Sequence, residues 1–528
     1  MPNFKITPFT SGFRSNNEGG FERIVREEKI FDKMPKNVFP LGKGKWQAIR
    51  KILMPSVPVS LCLFAVCLPP IVAAQPSVMT GDSLRKDLLG ALRYLAETQC
   101  RQTTLSKEYA GEWPAYMQMH TRFVLLGTRH KYRDSNSFTT VGVHNLLSEM
   151  YLADTSLRQI LPVLEDSYAE IRSYSEAGRF NFWKKLPPNR DLQKGDEPNP
   201  VPWVQRPTHY RLNSRYINNA ANVENDADDT ASGNLAIWYH NQIFRKNDSL
   251  ISAALFDGYL DDNRRNRHWY NYLFNGCPES GAYLTWLGKE ADFKRWNILK
   301  TIGHNQIFFL KSSICCPVPY QPYIPYGTND VDAVVNANIL TFLAHKGELV
   351  QSKGHSGAHT FIEHQAKYER WSRAGTYYPN RYHFHYAVSR ALAAGDTALR
   401  RTAQQMLAHL VASQQKDGSY RSRRKVNHRD KVQSTAYALA ALLNFSAAGL
   451  NVPSESIKST VAFLVSQKQQ EGETIYWKGG VFFSGGTVVR NVLYFTSEAY
   501  TTALIAFSLQ KYLKISESDS RQTTNTKP

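Results

Sequence analysis

Apolar residues recur at helical spacing through most of the chain. From Ser83 to Thr98 they fall three and four apart, with Ser83 placed to cap. Helices are likewise predicted over 139–152, 156–173, 290–309, 334–344 and 360–373, and in two pairs, 382–394 with 397–414 and 435–448 with 454–467. A last helix is predicted over 497–512. Six helices begin in similar ways: Thr139-Thr140-Val141, Asp229-Thr230-Ala231, Asp332-Ala333-Val334, Tyr382-His383-Phe384, Ser434-Thr435-Ala436 and Ser497-Glu498-Ala499. Most continue in small and aliphatic residues nearly all round, the mark of burial on more than one side. Amphipathic helices with Arg, Lys and Gln faces lie between several of them. No strand-rich region competes. The alternation predicts an all-α fold, an (α/α)6 toroid or barrel with six inner helices around a cavity. The repeat spacing varies from about 50 to about 100 residues, so long irregular loops must cover one end.

The connections carry their own signals. Residues 179–222 are rich in Pro, Asn and charge, yet Trp183, Trp203, Tyr210 and Tyr216 predict that the loop is packed down. Residues 258–285 are turn-rich, and 315–327 form a Pro-rich loop. One toroid domain is expected over 83–513, with a polar, disordered tail over 514–528.

The N-terminal part reads differently. Residues 1–51 form a polar, basic extension, and 52–74 are apolar, ending Ile71-Val72-Ala73-Ala74. A basic flank, an apolar run and small residues predict an export signal cleaved after Ala74, or else a membrane anchor. A start at Met34 would give the signal an ordinary length. Pro55, Pro58, Pro69 and Pro70 weigh against a well-formed spanning helix. The protein is thus expected to be exported, periplasmic or secreted, or membrane-anchored. Behind this segment remain Cys100, Cys277, Cys315 and Cys316, whose spacing is not that of a metal site. A Cys100–Cys277 disulfide and unreactive core thiols both remain open. Adjacent Cys315 and Cys316 are poorly placed to pair with each other. The net charge of +19 is strongly basic. Without a zinc knuckle, phosphate loop or RNA-binding aromatic signature, it predicts a basic surface and no nucleic-acid partner.

The candidate chemistry centres on Asp226-Ala227-Asp228-Asp229-Thr230-Ala231. Crowded carboxylates cannot all ionise cheaply when buried, so one should retain its proton as a pre-aimed acid. At a helix mouth the first-turn N–H groups would stabilise the remaining charge. In the predicted barrel the polar helix starts meet at one mouth. That would gather Asp226, Asp228, Asp229, Asp330, Asp332, His383, His385, Ser434, Thr435 and Glu498. Singly, most of these read as caps or first-turn acids. Asp226, Asp228 and Asp229 together exceed what capping needs, because one cap uses one carboxylate.

The stretch Asp226 to Ala231 resembles the D-x-D-D-T-A acid motif of class II terpenoid cyclases, including squalene–hopene cyclases. These belong to the terpenoid cyclase and protein prenyltransferase toroid superfamily. Gln414-Gln415-Lys416-Asp417-Gly418-Ser419-Tyr420 resembles the superfamily's Q-x3-G-x-W repeat, with Tyr420 in place of Trp, and 469–477 is similar to a degraded copy. The resemblance implies an isomerase, an intramolecular lyase. Asp228 would donate the proton, and Asp226 and Asp229 would tune it. It implies a hydrophobic isoprenoid as substrate and the possibility of membrane association. Aromatic residues would stabilise the cations that follow, and Trp238, Tyr382, His383, Asp332 and Glu498 are expected around the substrate. No aspartate-rich diphosphate motif and no prenyltransferase zinc triad is found, so no metal or other cofactor is required.

Two other readings fit the same barrel. An exported (α/α)6 glycan hydrolase or lyase would pair Asp228 with Asp332 or Glu498 across a polar cleft. A non-catalytic toroid would bind a lipid or a protein, with its carboxylates neutralised by buried Arg or Lys.

Overall fold

Small, apolar helix faces with polar first turns build a closed ring. A computed structural model describes residues 80–104, 108–119, 131–187, 203–208, 223–264, 280–288, 329–422, 426–427, 429–485, 491 and 493–525. All of these belong to one compact unit, 76–528. The expected N-terminal extension, the segment 52–74, the helix 290–309, the loop 315–327, Cys277, Cys315 and Cys316 lie outside the described residues, as does most of the loop after Leu186.

Twelve helices are formed among the described residues. Six are inner: α2 (Ser137–Ala153), α4 (Ala227–Phe244), α6 (Ala333–Lys346), α8 (Arg381–Ala393), α10 (Asp430–Ala447) and α12 (Glu498–Asn525). Each packs on the next, and α12 returns to α2, closing the ring. The odd-numbered helices alternate with them: α1 (Gly81–Thr98), α3 (Ile160–Arg172), the short α5 (Ala254–Asp257), α7 (His355–Lys367), α9 (Arg400–Ser413) and α11 (Ser454–Ser466). The six similar starts read from the sequence all open inner helices. This is the (α/α)6 toroid that the alternation predicts. The inner helices are buried almost all round; from Gln433 to Phe445 every residue of α10 is buried.

Element ends differ from the periodicity by a few residues. Helix α1 begins at Gly81 because Thr80 is the cap, its Oγ1 accepting from Ser83 N at 3.2 Å. Helix α12 runs on to Asn525 where a disordered tail was expected, and Glu517 on its extension forms an ion pair with Arg85 of α1. Cys100 is a free, half-buried thiol whose Sγ accepts from Arg133 at 2.9 Å. No helix among the described residues is long and apolar enough to cross a membrane.

Three devices fix the barrel. First, five of the six inner helices open with side-chain caps: Asn136, Asp226, Asp332 and Asn380 each accept from a first-turn amide, and Ser497 Oγ accepts from Tyr500 N, whereas α10 has no side-chain cap. Second, Gln–Gly bolts join neighbouring outer helices. After α9, Gln414 Nε2 donates to Ser456 O at 2.9 Å and Thr460 Oγ1 at 2.8 Å on α11, and Gly418, at φ +80°, lies against Ser459 O. After α1, Gln99 Nε2 donates to Val163 O on α3 at 2.9 Å, and Gly111, at φ +90°, lies against Asp166 O. Buried Tyr420 and Trp113 follow two residues after each glycine. Third, about three turns below the mouth, each inner helix supplies one polar residue to a ring. Lys511 donates to Glu149 at 2.9 Å and to Asn444 Oδ1 at 2.8 Å. Tyr239, His345 and Arg390 complete it, each within electrostatic reach of Glu149.

Four strands form an antiparallel sheet in the order β2 (Tyr132–Arg133), β1 (Tyr116–Met119), β4 (Leu493–Thr496), β3 (Val481–Gly485). Its register pairs Met117 with Phe495 and Phe495 with Phe483. The sheet brings these two phenylalanines over the N-terminal mouth of the ring.

Candidate active site

Asp226 ends an extended segment and caps α4, its Oδ1 accepting from Asp229 N at 2.7 Å. That fixes Asp228 and Asp229 in the first helical turn. The segment 283–287 stitches this turn to the start of α6. Ala227 N donates to Thr285 O at 2.7 Å, Thr285 N to Asp330 O at 2.8 Å, and Tyr283 N to Asn336 Oδ1 at 3.0 Å. Asp332 then caps α6 through Val334 N and Val335 N, while its other oxygen accepts from Thr376 N and Tyr377 N. It thereby anchors the strand-like segment that carries Tyr377 and Tyr378.

The three carboxylates of the motif meet at one wall, each under a tenth exposed. Asp228 accepts from Asn338 Nδ2 at 2.7 Å on one oxygen and from the Tyr378 hydroxyl on the other. Asp229 accepts from Ser137 Oγ of α2. Among the described residues no Lys or Arg forms an ion pair with any of the three. Burial, and next the Asp229 charge, hold the Asp228 carboxyl well above the ordinary carboxylate range. Asp226 is raised well above it too, by burial and then by the charges of Asp229 and Asp228. Asp229 is pushed up by burial only to about 6, because hydrogen bonds from Ser137 and Asp226 favour its anion. Burial and mutual repulsion thus favour the acid form of Asp228 and Asp226, and Asp229 is the most readily ionised of the three.

These acids open onto a cavity of about 230 Å³. Its other walls are almost wholly apolar: Phe182, Trp183, Trp286, Tyr377, Phe483 and Phe495 lead, with Val223, Val335 and Leu493 between them. Phe182 and Phe483 stack with centroids 4.9 Å apart, and Phe483 meets Tyr378 edge-on at 5.7 Å. Such a pocket offers water few polar partners, presents acid at one end and offers aromatic faces to positive charge.

No family model matches the chain, and no curated protein matches it. Among solved structures it is similar to the type II terpene cyclase MstE from Scytonema, at 12% identity over 83% of this chain and 100% of that one, with a TM-score of 0.44. It is also similar to a possible member of the GH105 family from Salmonella enterica, at 11% identity over 86% and 100%, TM-score 0.44. A third is cellobiose 2-epimerase from Bacillus thermoamylovorans, at 10% identity over 82% and 99%, TM-score 0.43. These neighbours differ in chemistry, so the reading of this chain rests on its own side chains.

The remaining residues singled out in the sequence scatter. Asp332 is fully buried behind the wall, its oxygens occupied by four backbone amides. His383 is buried beneath the acids, its ring 4.3 Å from Tyr378 and 4.4 Å from Tyr437, and burial holds it neutral by lowering its pKa to about 3. Trp238 lies ten residues along α4 from Asp228, about 15 Å away, beside His345. Tyr382 packs outward on Tyr420. His385 also faces outward, its Nε2 2.9 Å from His409 Nδ1. Glu498 is half-exposed at the start of α12, 3.6 Å from Arg429.

Asn338, Ser137, Phe182, Phe483 and Phe495 were not singled out from the sequence. Asn338 did leave a signal. With Asn336 it interrupts an otherwise apolar helix, and a buried amide must find partners. The phenylalanines left none: strand pairing aims Phe483 and Phe495, and Phe182 is held in a loop whose carbonyl accepts from Ser137 N at 3.0 Å.

Proposed function

We propose that the chain is a class II terpenoid cyclase-like enzyme, in which Asp228 protonates an isoprenoid alkene or epoxide and starts ring closure. The observation that carries this reading is the pairing of three crowded, buried carboxylates with an apolar, aromatic cavity. Alkene protonation needs a strong acid kept from water. In the ground state the Asp229 charge and burial keep the proton on Asp228. As the proton leaves, Asn338 and Tyr378 donate to the carboxylate that forms, and the α4 N-terminus faces it. Asp226 shares its proton with Asp229 and so limits the negative charge beside the acid. Phe182, Phe483, Phe495 and Trp286 would face the carbocations. At about 230 Å³ the cavity falls below the usual range for ligand pockets, about 300–1,000 Å³. It suits the reacting end of a substrate better than the whole of a long isoprenoid. None of the residues named requires a metal for this step.

Glycan chemistry finds less support. It needs two opposed carboxylates. Asp332 is committed to backbone amides and Glu498 to the exposed rim, so among the described residues the cavity's carboxylates all come from one helix turn. The non-catalytic reading asked for cationic neutralisation; among the described residues no Lys or Arg forms an ion pair with the three acids, and the Arg390 charge lowers Asp228 only against the larger rise from burial and Asp229.

The test is turnover of squalene, farnesyl diphosphate and geranylgeranyl diphosphate, with products read by mass spectrometry beside an Asp228→Asn variant. A cyclised product from the wild type alone supports the assignment. A product formed equally by the variant removes Asp228 as the acid.

A further inference from the structure

A second cluster lies on the outer layer, at the end of the barrel away from Asp228. His355 and His359 stand four residues apart on α7 and so share one face. Asp396 comes from the turn after α8, behind Gly395, and is almost fully buried at 1% exposure. His359 Nε2 is 2.7 Å from Asp396 Oδ2, His355 Nε2 is 3.6 Å from Oδ1, and the two rings are 4.2 Å apart. One ligand atom from each residue lies within 4.8 Å of the others.

A single His–Asp hydrogen bond accounts for His359 only. It leaves His355 Nε2 buried with no hydrogen-bond partner. The charge is also unbalanced. Asp257 lies close by, accepting from Ser352 Oγ at 2.6 Å and Gly354 N at 3.2 Å. Among the described residues neither Asp257 nor Asp396 has a Lys or Arg partner. Both charges act on the buried Tyr283 hydroxyl, which burial and these acids raise. Two imidazoles and a carboxylate are a zinc-type ligand set. Around zinc, tetrahedral ligand atoms at about 2.0–2.1 Å stand about 3.3 Å apart, between the two His–Asp spacings found here.

We propose that His355, His359 and Asp396 hold a divalent transition-metal ion, zinc fitting the donors best, which clips outer helix α7 to the α8–α9 turn. The ion would engage the orphaned His355 nitrogen and offset the paired acids. The histidine side chains are 20% and 18% exposed, against 1% for Asp396, so the cluster lies just beneath the surface of the outer layer.

The experiment uses the full chain, stripped with a chelator and titrated with zinc by calorimetry, with metal content and thermal unfolding measured in parallel. The expected result is one zinc per chain bound at this cluster and a zinc-dependent rise in Tm. His355→Ala should weaken that binding by at least about tenfold and remove the rise, while His364→Ala on the same helix leaves both unchanged. His355 is partly exposed, and circular dichroism verifies that its variant folds. Failure of the folded wild type to bind zinc overturns the proposal. So does a His355→Ala protein that binds zinc with unchanged affinity and stoichiometry.

Discussion

Asn338 on α6 donates its side-chain amide to Asp228 at the start of the neighbouring α4, at 2.7 Å. The bond favours the carboxylate over the acid, so it strengthens Asp228 as a proton donor while burial holds the proton in place. Asn338→Ala should therefore weaken the acid. A hydrogen bond to a charged group contributes about 1.5–3 kcal/mol, so kcat should fall about 10–100-fold. KM for the same isoprenoid should change little. Steady-state kinetics beside Tyr378→Phe, which removes the other donor, checks this. An unchanged kcat in both variants would leave these donors without a catalytic part.

Phe483 faces the cavity and touches Phe182, Tyr377 and Tyr378. Loss of its ring face should cost about 1–2 kcal/mol of cation stabilisation, roughly 5–30-fold in rate. Phe483→Ala should also release products quenched early by water. Phe483→Trp should keep most of the rate. Product profiles by mass spectrometry distinguish this from simple loss of packing, which would lower all products alike.

Asp134 is wholly buried, its Oδ2 accepting from Trp183 Nε1 at 3.1 Å, and burial pushes its carboxyl up to about 7. The folded chain keeps this proton where the unfolded chain has already lost it. The contribution to stability is full below the ordinary carboxylate range and is lost as pH rises through about 7. Buried His144 and His383, held to about 3, act in the opposite sense, so the pH slope of the wild type alone is not diagnostic. Asp134→Asn lacks the carboxyl contribution. Its Tm relative to wild type should improve between pH 5 and pH 8, by about 1 °C for each kcal/mol of linkage in a unit of this size. A difference that stays constant across that range would contradict the raised pKa.

Gly418 and Gly111 each sit at positive φ with a carbonyl oxygen where a side chain would start. Alanine at either position should cost at least about 2 kcal/mol through strain and overlap. Equal losses in the two variants, measured by denaturant unfolding, would show that the two bolts do the same structural work. Negligible loss in either would count against that equivalence.

The two bolts also show what could be read from the chain. Gln414 to Tyr420 is a compact pattern and was legible. Its partner was hidden because a longer loop separates Gln99 from Gly111, although the folded geometry repeats. The six inner helices were legible for a plain reason: helices buried on several sides use small and aliphatic residues nearly all round. The acid triplet announced itself by crowding. Its surroundings did not. Phe483 and Phe495 reach the cavity through strand register, and Ser137 reaches Asp229 through the closure of α2 against α4. Asp332 shows the converse. A conspicuous carboxylate near the site became an anchor for Tyr378, because the amides of 376 and 377 reached it first.

The ring formed by Glu149, Tyr239, His345, Arg390, Asn444 and Lys511 has a consequence for traffic. Its charged and polar groups stopper the barrel below the acids, so the cavity is a cul-de-sac for an oily molecule. On the proposed reading, substrate and product would share one way in among the described residues, on the side of the sheet that carries Phe483 and Phe495. A rigid ring product would then have to back out along the path by which a flexible chain came in. Release, rather than proton transfer, becomes the step most exposed to changes in that sheet, and product should compete with substrate for entry.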